Sequence, residues 1–309
     1  MQLKRLARNF IKHHWKRTFE LGQRLGVDVL PRHFYANTPD FRELRRSDDW
    51  RRPYDMVGVA GADLDGQVER LRSWGDHDPG DVWQDACDDN GEPGYVQTDA
   101  DALWNFLAHH RPSQVTQIGC GVSTALMLRC AERFGFDCAI TCIEPYPTDF
   151  LKTAAADGRI TLIAEKAEAV DAERIADVPS GGLLFIDSTH ASRPNSDVHH
   201  LQLRVIPRLR PGVHIHVHDM QFPYDFGPNI LGPGDLFFGA EAVLLHALLV
   251  DNAKLAIDVS MSALHHGRPD VLRELLPHYD LPPTDRGLNP PEAFGLSPSA
   301  CYLVTKEPS

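Results

Sequence analysis

Thr116-Gln117-Ile118-Gly119-Cys120-Gly121-Val122-Ser123-Thr124 decides how this chain is read. An apolar run that begins at Val115 stops on two glycines one residue apart, and an amphipathic pattern starts at Ser123. A strand that turns into a helix across such glycines leaves bare main chain where a ligand can approach closely. The free N–H groups of the new helix face an anion or carboxylate there. A dinucleotide fold asks for a third glycine at position 124, where this chain has threonine, so a nicotinamide cofactor is disfavoured. The next apolar run ends on an acid, Glu144 in Cys142-Ile143-Glu144-Pro145, placed to accept hydrogen bonds from both hydroxyls of an adenosine ribose. A surface or helix-capping glutamate is the alternative, and the pairing with the glycine turn favours the ribose role.

Working outward, apolar strands alternate with amphipathic helices. Strands are predicted at Val115 to Ile118, Ala139 to Ile143, Ile160 to Ala164, Leu183 to Ile186 and Val213 to Val217. Further strands are predicted near Leu255 to Val259 and at Cys301 to Thr305. Helices are predicted at Ala102 to His109, Ser123 to Phe134, Glu241 to Leu249 and near Asp270 to Leu276. Repeated strand–helix–strand units imply right-handed crossovers and an α/β, Rossmann-like, seven-stranded and mostly parallel sheet. Ligands of such sheets sit beyond the carboxyl ends of the strands. Residues 1–89 read as a helical and irregular extension, with Pro-punctuated and Asp/Arg/Trp-rich stretches, and 90–309 as the main domain.

The composition, with 42% hydrophobic and 24% charged residues in 309, is that of a packed soluble protein. A formal net charge of -12 argues against nucleic acid as a partner, because phosphate backbones are bound through basic faces. A small-molecule, sugar or lipid acceptor fits better. The six cysteines show no CxxC pairing and no disulfide density, so reduced thiols and a cytoplasmic location are expected. No apolar run is long enough to span a bilayer, and no signal core is seen. Residues 1–26 form a basic amphipathic stretch. It suits docking on the rest of the chain or a homo-oligomer contact more than a peripheral membrane contact, its apolar stripe being modest.

The chain resembles bacterial class I, S-adenosylmethionine-dependent methyltransferases of the type 24 family. The resemblance is carried by His33-Phe34-Tyr35 with Pro39-Asp40, Gly94-Tyr95, the turn at Gly119, Gly121, Ser123 and Thr124, Phe185-Ile186-Asp187-Ser188-Thr189-His190, Ser196-Asp197-Val198 and His216-Val217-His218-Asp219. It implies a sheet whose last strand is antiparallel, with S-adenosyl-L-methionine across the first two strand ends and the acceptor above the fourth and fifth. The cofactor contacts it implies are Tyr95, Gly119, Gly121, Ser123, Thr124, Glu144 and Asp187, with Lys166 and Ala167 near the adenine. It also suggests that Phe237-Phe238-Gly239-Ala240-Glu241 closes over the acceptor, an aromatic core segment opening a helix being the alternative.

Methyl transfer to a hydroxyl needs the oxygen deprotonated as it attacks, and a histidine of near-neutral pKa suits that task. Asp187-Ser188-Thr189-His190 resembles the Asp-x-x-His of metal-dependent O-methyltransferases acting on macrolide sugars, which implies Asp187 on magnesium and His190 as base. Asp219 and His218 fall where those enzymes place further ligands. Asp187, His218 and Asp219 are thus the metal candidates, the histidine shifting preference from Mg2+ toward another divalent ion. O-methylation of a sugar, glycolipid or secondary metabolite is the leading expectation, and metal-independent N-methylation is the second. His214, His216 and His218 alternate on one strand face, so a zinc hydrolase is also conceivable. The first and last of these are about 13 Å apart along a strand, too far to share one ion, so core or pocket-lining roles are favoured for His214 and His216.

Overall fold

The structure, a computed structural model, describes residues 14–30, 38–47, 49, 52–224, 239–281 and 297–307. The motif His33-Phe34-Tyr35, residues 1–13 and Phe237-Phe238 lie outside them. Contacts divide the chain into two units, Met1–Arg46 and Ser47–Ser309. In the first, residues 14–24 form helix α1, which exposes Leu21, and a single turn, α2 (Phe41–Leu44), starts where the Asp40 carboxylate accepts from the Arg42 amide.

The second unit is built on a seven-stranded sheet in the order β3-β2-β1-β4-β5-β7-β6. The strands are β1 (Gln114–Ile118), β2 (Ala139–Ile143), β3 (Thr161–Ile163), β4 (Leu183–Ile186), β5 (His214–Val217), β6 (Leu255–Ser260) and β7 (Cys301–Thr305). All pairs are parallel except those made by β7, which runs against both β5 and β6. The chain winds outward from β1 to β3, returns to the centre at β4 and winds the other way. The crevice beyond the carboxyl ends of β1 and β4 is therefore the topological switch point, where sheets of this kind bind ligands.

Why these residues form this sheet is clearest at β4, a run of four apolar residues that are all buried. Leu183 and Phe185 enter one core and Leu184 and Ile186 the other, the two-sided burial that a central parallel strand requires. Burying each such side chain contributes about 1.5–3 kcal/mol. On the first face pack α3 (Leu64–Ser73), α4 (Val82–Asn90), α5 (Gln97–His110), α6 (Val122–Phe134), α11 (Met261–Gly267) and α12 (Pro269–Leu275). The second face carries α8 (Ala172–Ala176), α9 (Asp197–His200) running into a π-helical turn at Leu201–Val205, and α10 (Glu241–Leu249). Between β2 and β3 lies α7 (Asp149–Ala156).

Helix α5 is buried from Thr98 to Ala108. Three of its buried polar side chains are met: Asp99 accepts from the amides of Ser299 and Ala300, Asp101 from His278, and Asn105 from the His77 amide.

Candidate active site

The glycine turn is held from beneath by Gln117, fully buried near the end of β1. Its amide nitrogen donates to the Gly119 carbonyl (3.0 Å) and the Ser123 hydroxyl (2.8 Å), and its oxygen accepts from the Thr124 hydroxyl (2.9 Å). Thr124 Oγ1 in turn accepts from the Gly121 amide at 3.2 Å. Ser123 and Thr124 thus point inward and fix the turn. Gly119 has φ +74°, and a Cβ there would run into the main-chain carbonyl of Asp187, so only glycine lets the ends of β1 and β4 close up.

Glu144 follows β2 and faces this turn. One carboxylate oxygen accepts from the Cys120 amide at 3.3 Å and the other from the Tyr146 amide at 2.8 Å. A carboxylate has about four lone-pair sites, so both oxygens keep capacity for two ribose hydroxyls. Lys166 is exposed just after β3, whereas the Ala167 side chain packs into the core beside Ile163 and Val170.

The other half of the crevice is dense in charge. His190 stands between three carboxylates: Nδ1 is 2.8 Å from Glu241 Oε2, and Nε2 is 3.4 Å from Asp187 Oδ1 and 3.3 Å from Asp219 Oδ2. Burial opposes its charge, but the bonds to Asp187 and Glu241 and the charge of Asp219 hold its pKa well above the ordinary imidazole value. Burial would raise the Asp187 carboxyl, yet the charges of His218 and His190 outweigh it and hold Asp187 low. His190 and Asp219 both sit at positive φ (55° and 57°), as does Tyr95 (62°), conformations that cost non-glycine residues about 1–3 kcal/mol each and gather at functional sites.

This geometry is itself braced. Asp197 accepts from the Thr189 amide (2.9 Å) and hydroxyl (2.6 Å), shaping the turn that carries His190. Buried Glu241 accepts a second bond from Gln202 Nε2 at 2.9 Å, offered from the π-helical turn. Asp219 Oδ1 accepts from the Ser299 hydroxyl at 3.0 Å.

His214 and His216 of β5 and His218 just beyond it do not converge on one point. His216 lies flat on Phe185 (ring centroids 4.1 Å, 7°) with Tyr302 edge-on at 4.8 Å, and burial drives its pKa well below the usual value. His218 stacks on Tyr95 at 4.6 Å, with Nδ1 3.9 Å from buried Asp99. Burial raises the Asp99 carboxyl to about 6, even with His218 beside it. His214 turns toward His110 at the far end of the strand. A three-histidine zinc centre is not what these positions make.

Asp187, His190 and Asp219 each offer a ligand atom, all within 4.8 Å of one another, and His218 Nε2 stands 3.8 Å from Asp219 Oδ1. The hydroxyl of Ser188, buried without a hydrogen-bond partner, adds an unsatisfied polar atom next to Asp187. The Asp187 and Asp219 carboxylates at neighbouring strand ends fit a hard divalent ion such as magnesium, with His190 beside it. Gln117, Asp99, Gln202 and the pairing of Glu241 with His190 were not anticipated from sequence. For Gln117 the signal was present, a polar residue inside an apolar strand.

The sheet order, with β7 alone antiparallel, is that of the class I methyltransferase fold, and the glycine turn and Glu144 stand at the carboxyl ends of its first two strands. Residues 116–220 match the family model described as a methyltransferase domain, of type 24, a span that includes Glu144, Asp187, His190 and Asp219. The chain is thus a methyl-transferring enzyme.

An uncharacterized protein of Archaeoglobus fulgidus is 28% identical over 183 residues, 55% of this chain and 79% of its own. Among solved structures, a cofactor-bound protein from MTB is 16% identical (75% of this chain, 91% of that chain, TM-score 0.43). A methyltransferase of Podospora anserina bound to S-adenosylhomocysteine is 12% identical (90% of this chain, 100% of that chain, TM-score 0.40). These are likenesses of outline alone. Among the described residues, no helix is long and apolar enough to cross a membrane.

Proposed function

We propose that this enzyme methylates a hydroxyl on a sugar, glycolipid or secondary metabolite, with S-adenosylmethionine as donor and His190 as base. The observation that carries the proposal is the setting of His190, with Nδ1 anchored on buried Glu241 and Nε2 turned to the crevice between Asp187 and Asp219. An imidazole fixed through one nitrogen presents the other in a defined direction, the arrangement of an oriented general base.

Glu144 and the amides of the glycine turn would hold the donor, whose sulfonium supplies an electrophilic methyl group. His190 Nε2 takes the hydroxyl proton as the acceptor oxygen gains the methyl, and Glu241 stabilises the imidazolium that results. Asp187 and Asp219 would hold a divalent cation, which supplies Lewis acidity toward the acceptor oxygen.

A cavity beyond β6 would take the acceptor's apolar part. This cavity, of about 660 Å3, lies between Tyr54, Met56 and Leu64 on one side and Pro223, Tyr224 and His266 on the other. His266 follows β6, which is separated from β5 only by β7, about 10 Å at the spacing of neighbouring strands. The segment from Asp219, which stands beside His190, runs to Tyr224 in the cavity wall, where His266 Nδ1 is buried without a hydrogen-bond partner.

Calorimetric titration with S-adenosylhomocysteine tests the donor half. Binding is expected, and Glu144→Ala is expected to weaken it about 10–100-fold, the worth of one or two hydrogen bonds to a charged group. Absence of binding to the intact protein would overturn the proposal.

A further inference from the structure

At the amino end of β5, away from the crevice, three ligand-type residues meet that the reaction does not use. His110 closes α5, His214 opens β5, and Asp258 occupies the irregularity in β6 between Ile257 and Val259. One ligand atom from each lies within 4.8 Å of the other two. The rings of His110 and His214 are 4.3 Å apart, and His110 Nε2 and His214 Nδ1 are both buried without a hydrogen-bond partner. Phe106 and Trp74 pack the apolar parts of these rings, but aromatic contact does not satisfy a ring nitrogen. Asp258 keeps an ion pair with Arg70 at 3.3 Å through Oδ1, and Lys306 and His109 also bear on it.

We infer that His110, His214 and Asp258 form a second metal site, structural in role, for a borderline divalent ion of the zinc type. Two imidazoles and a carboxylate are a donor set that such an ion accepts in tetrahedral coordination, leaving the fourth position to water or to exposed His109, whose ring is 4.6 Å from that of His110. Burial lowers the pKa of His110 to about 3 and that of His214 as well, which keeps both rings in the neutral form that binds metal. The carboxyl end of α5 adds its carbonyl dipoles, which favour a cation there. Bound metal would tie α5 to β5 and β6. The site is independent of the catalytic proposal, because His214 and His218 are about 13 Å apart along the strand.

The chelator-stripped protein is titrated with Co2+, followed by its visible absorption, and then with Zn2+. The intense bands of tetrahedral cobalt are expected in the wild type and in the Asp187→Asn/Asp219→Asn variant. They are expected to be lost, with at least a tenfold drop in cobalt affinity, in both His214→Gln and Asp258→Asn, each checked for retained S-adenosylhomocysteine binding. Zn2+ should displace the cobalt and raise the thermal midpoint of the wild type by several degrees, but not that of His214→Gln. Bands that persist in His214→Gln and Asp258→Asn but vanish in the Asp187→Asn/Asp219→Asn variant, or no tetrahedral binding at all, would overturn the inference.

Discussion

The two halves of the crevice are built from different materials. Beyond β1 and β2, the turn is ordered by neutral hydrogen bonds from Gln117, Ser123 and Thr124, with Glu144 closing it by way of main-chain amides. Beyond β4 and β5 the order is ionic: Asp187, Asp219 and Glu241 surround His190, on a backbone that holds His190 and Asp219 at positive φ. The first half recognises by shape and by fixed amide direction, so it should respond to added bulk and little to pH. The second recognises by charge, so it should respond to pH and cations. They meet where the Cα of Gly119 faces the Asp187 carbonyl.

That contact is where the comparison can be broken outright. Gly119→Ala puts a methyl group against the main chain of Asp187 and forces an L-residue to φ +74°, costs that sum to about 2–6 kcal/mol. Loss of S-adenosylhomocysteine binding, a lower thermal midpoint and loss of methyl transfer are expected together. Calorimetry showing near-normal affinity in this variant would mean that the two halves are not joined through Gly119.

His190→Gln separates the halves. Turnover should fall about 100–10,000-fold, the range for removing a positioned general base. Affinity for S-adenosylhomocysteine should stay within a factor of about three, less than one hydrogen bond's worth. If single-turnover rates with a hydroxyl acceptor are unchanged, the base is elsewhere.

The same contrast governs how much could be read in advance. Strand ends were legible because β2, β4 and β7 are short, largely apolar runs, and Glu144 and Asp187 directly follow two of them, while Asp219 comes two residues after β5. What surrounds them was not legible. Glu241 reaches His190 across 51 positions, Gln202 reaches Glu241 across 39, and Asp99 receives the Ser299 amide across 200, and no local pattern encodes a pairing at such separations. The alternation of His214, His216 and His218 showed that they share a face. Their separation into an aromatic stack depends on Phe185 and Tyr302 of other strands. Helix α11 passed unnoticed because its Met-Ser-Ala-Leu-His-His-Gly run is too short for a helical period to stand out.

The finest distinction concerns Glu241, which either sets the proton affinity of His190 or only packs beneath it. Its carboxylate, 2.8 Å from Nδ1, stabilises the imidazolium and helps raise the pKa of His190. Glu241→Gln keeps the shape, and its amide oxygen can still accept from Nδ1–H, but the negative charge is gone. The imidazolium is then less favoured, the pKa of His190 falls, and the neutral form that acts as base is present at lower pH. The rising limb of kcat/KM against pH should therefore move to lower pH. The plateau should drop less than tenfold, since one charge-assisted bond becomes a neutral one at a cost of about 1 kcal/mol. A limb that stays in place while the plateau falls would assign Glu241 to packing alone, and would leave Asp187 and Asp219 as the groups that hold the proton on His190.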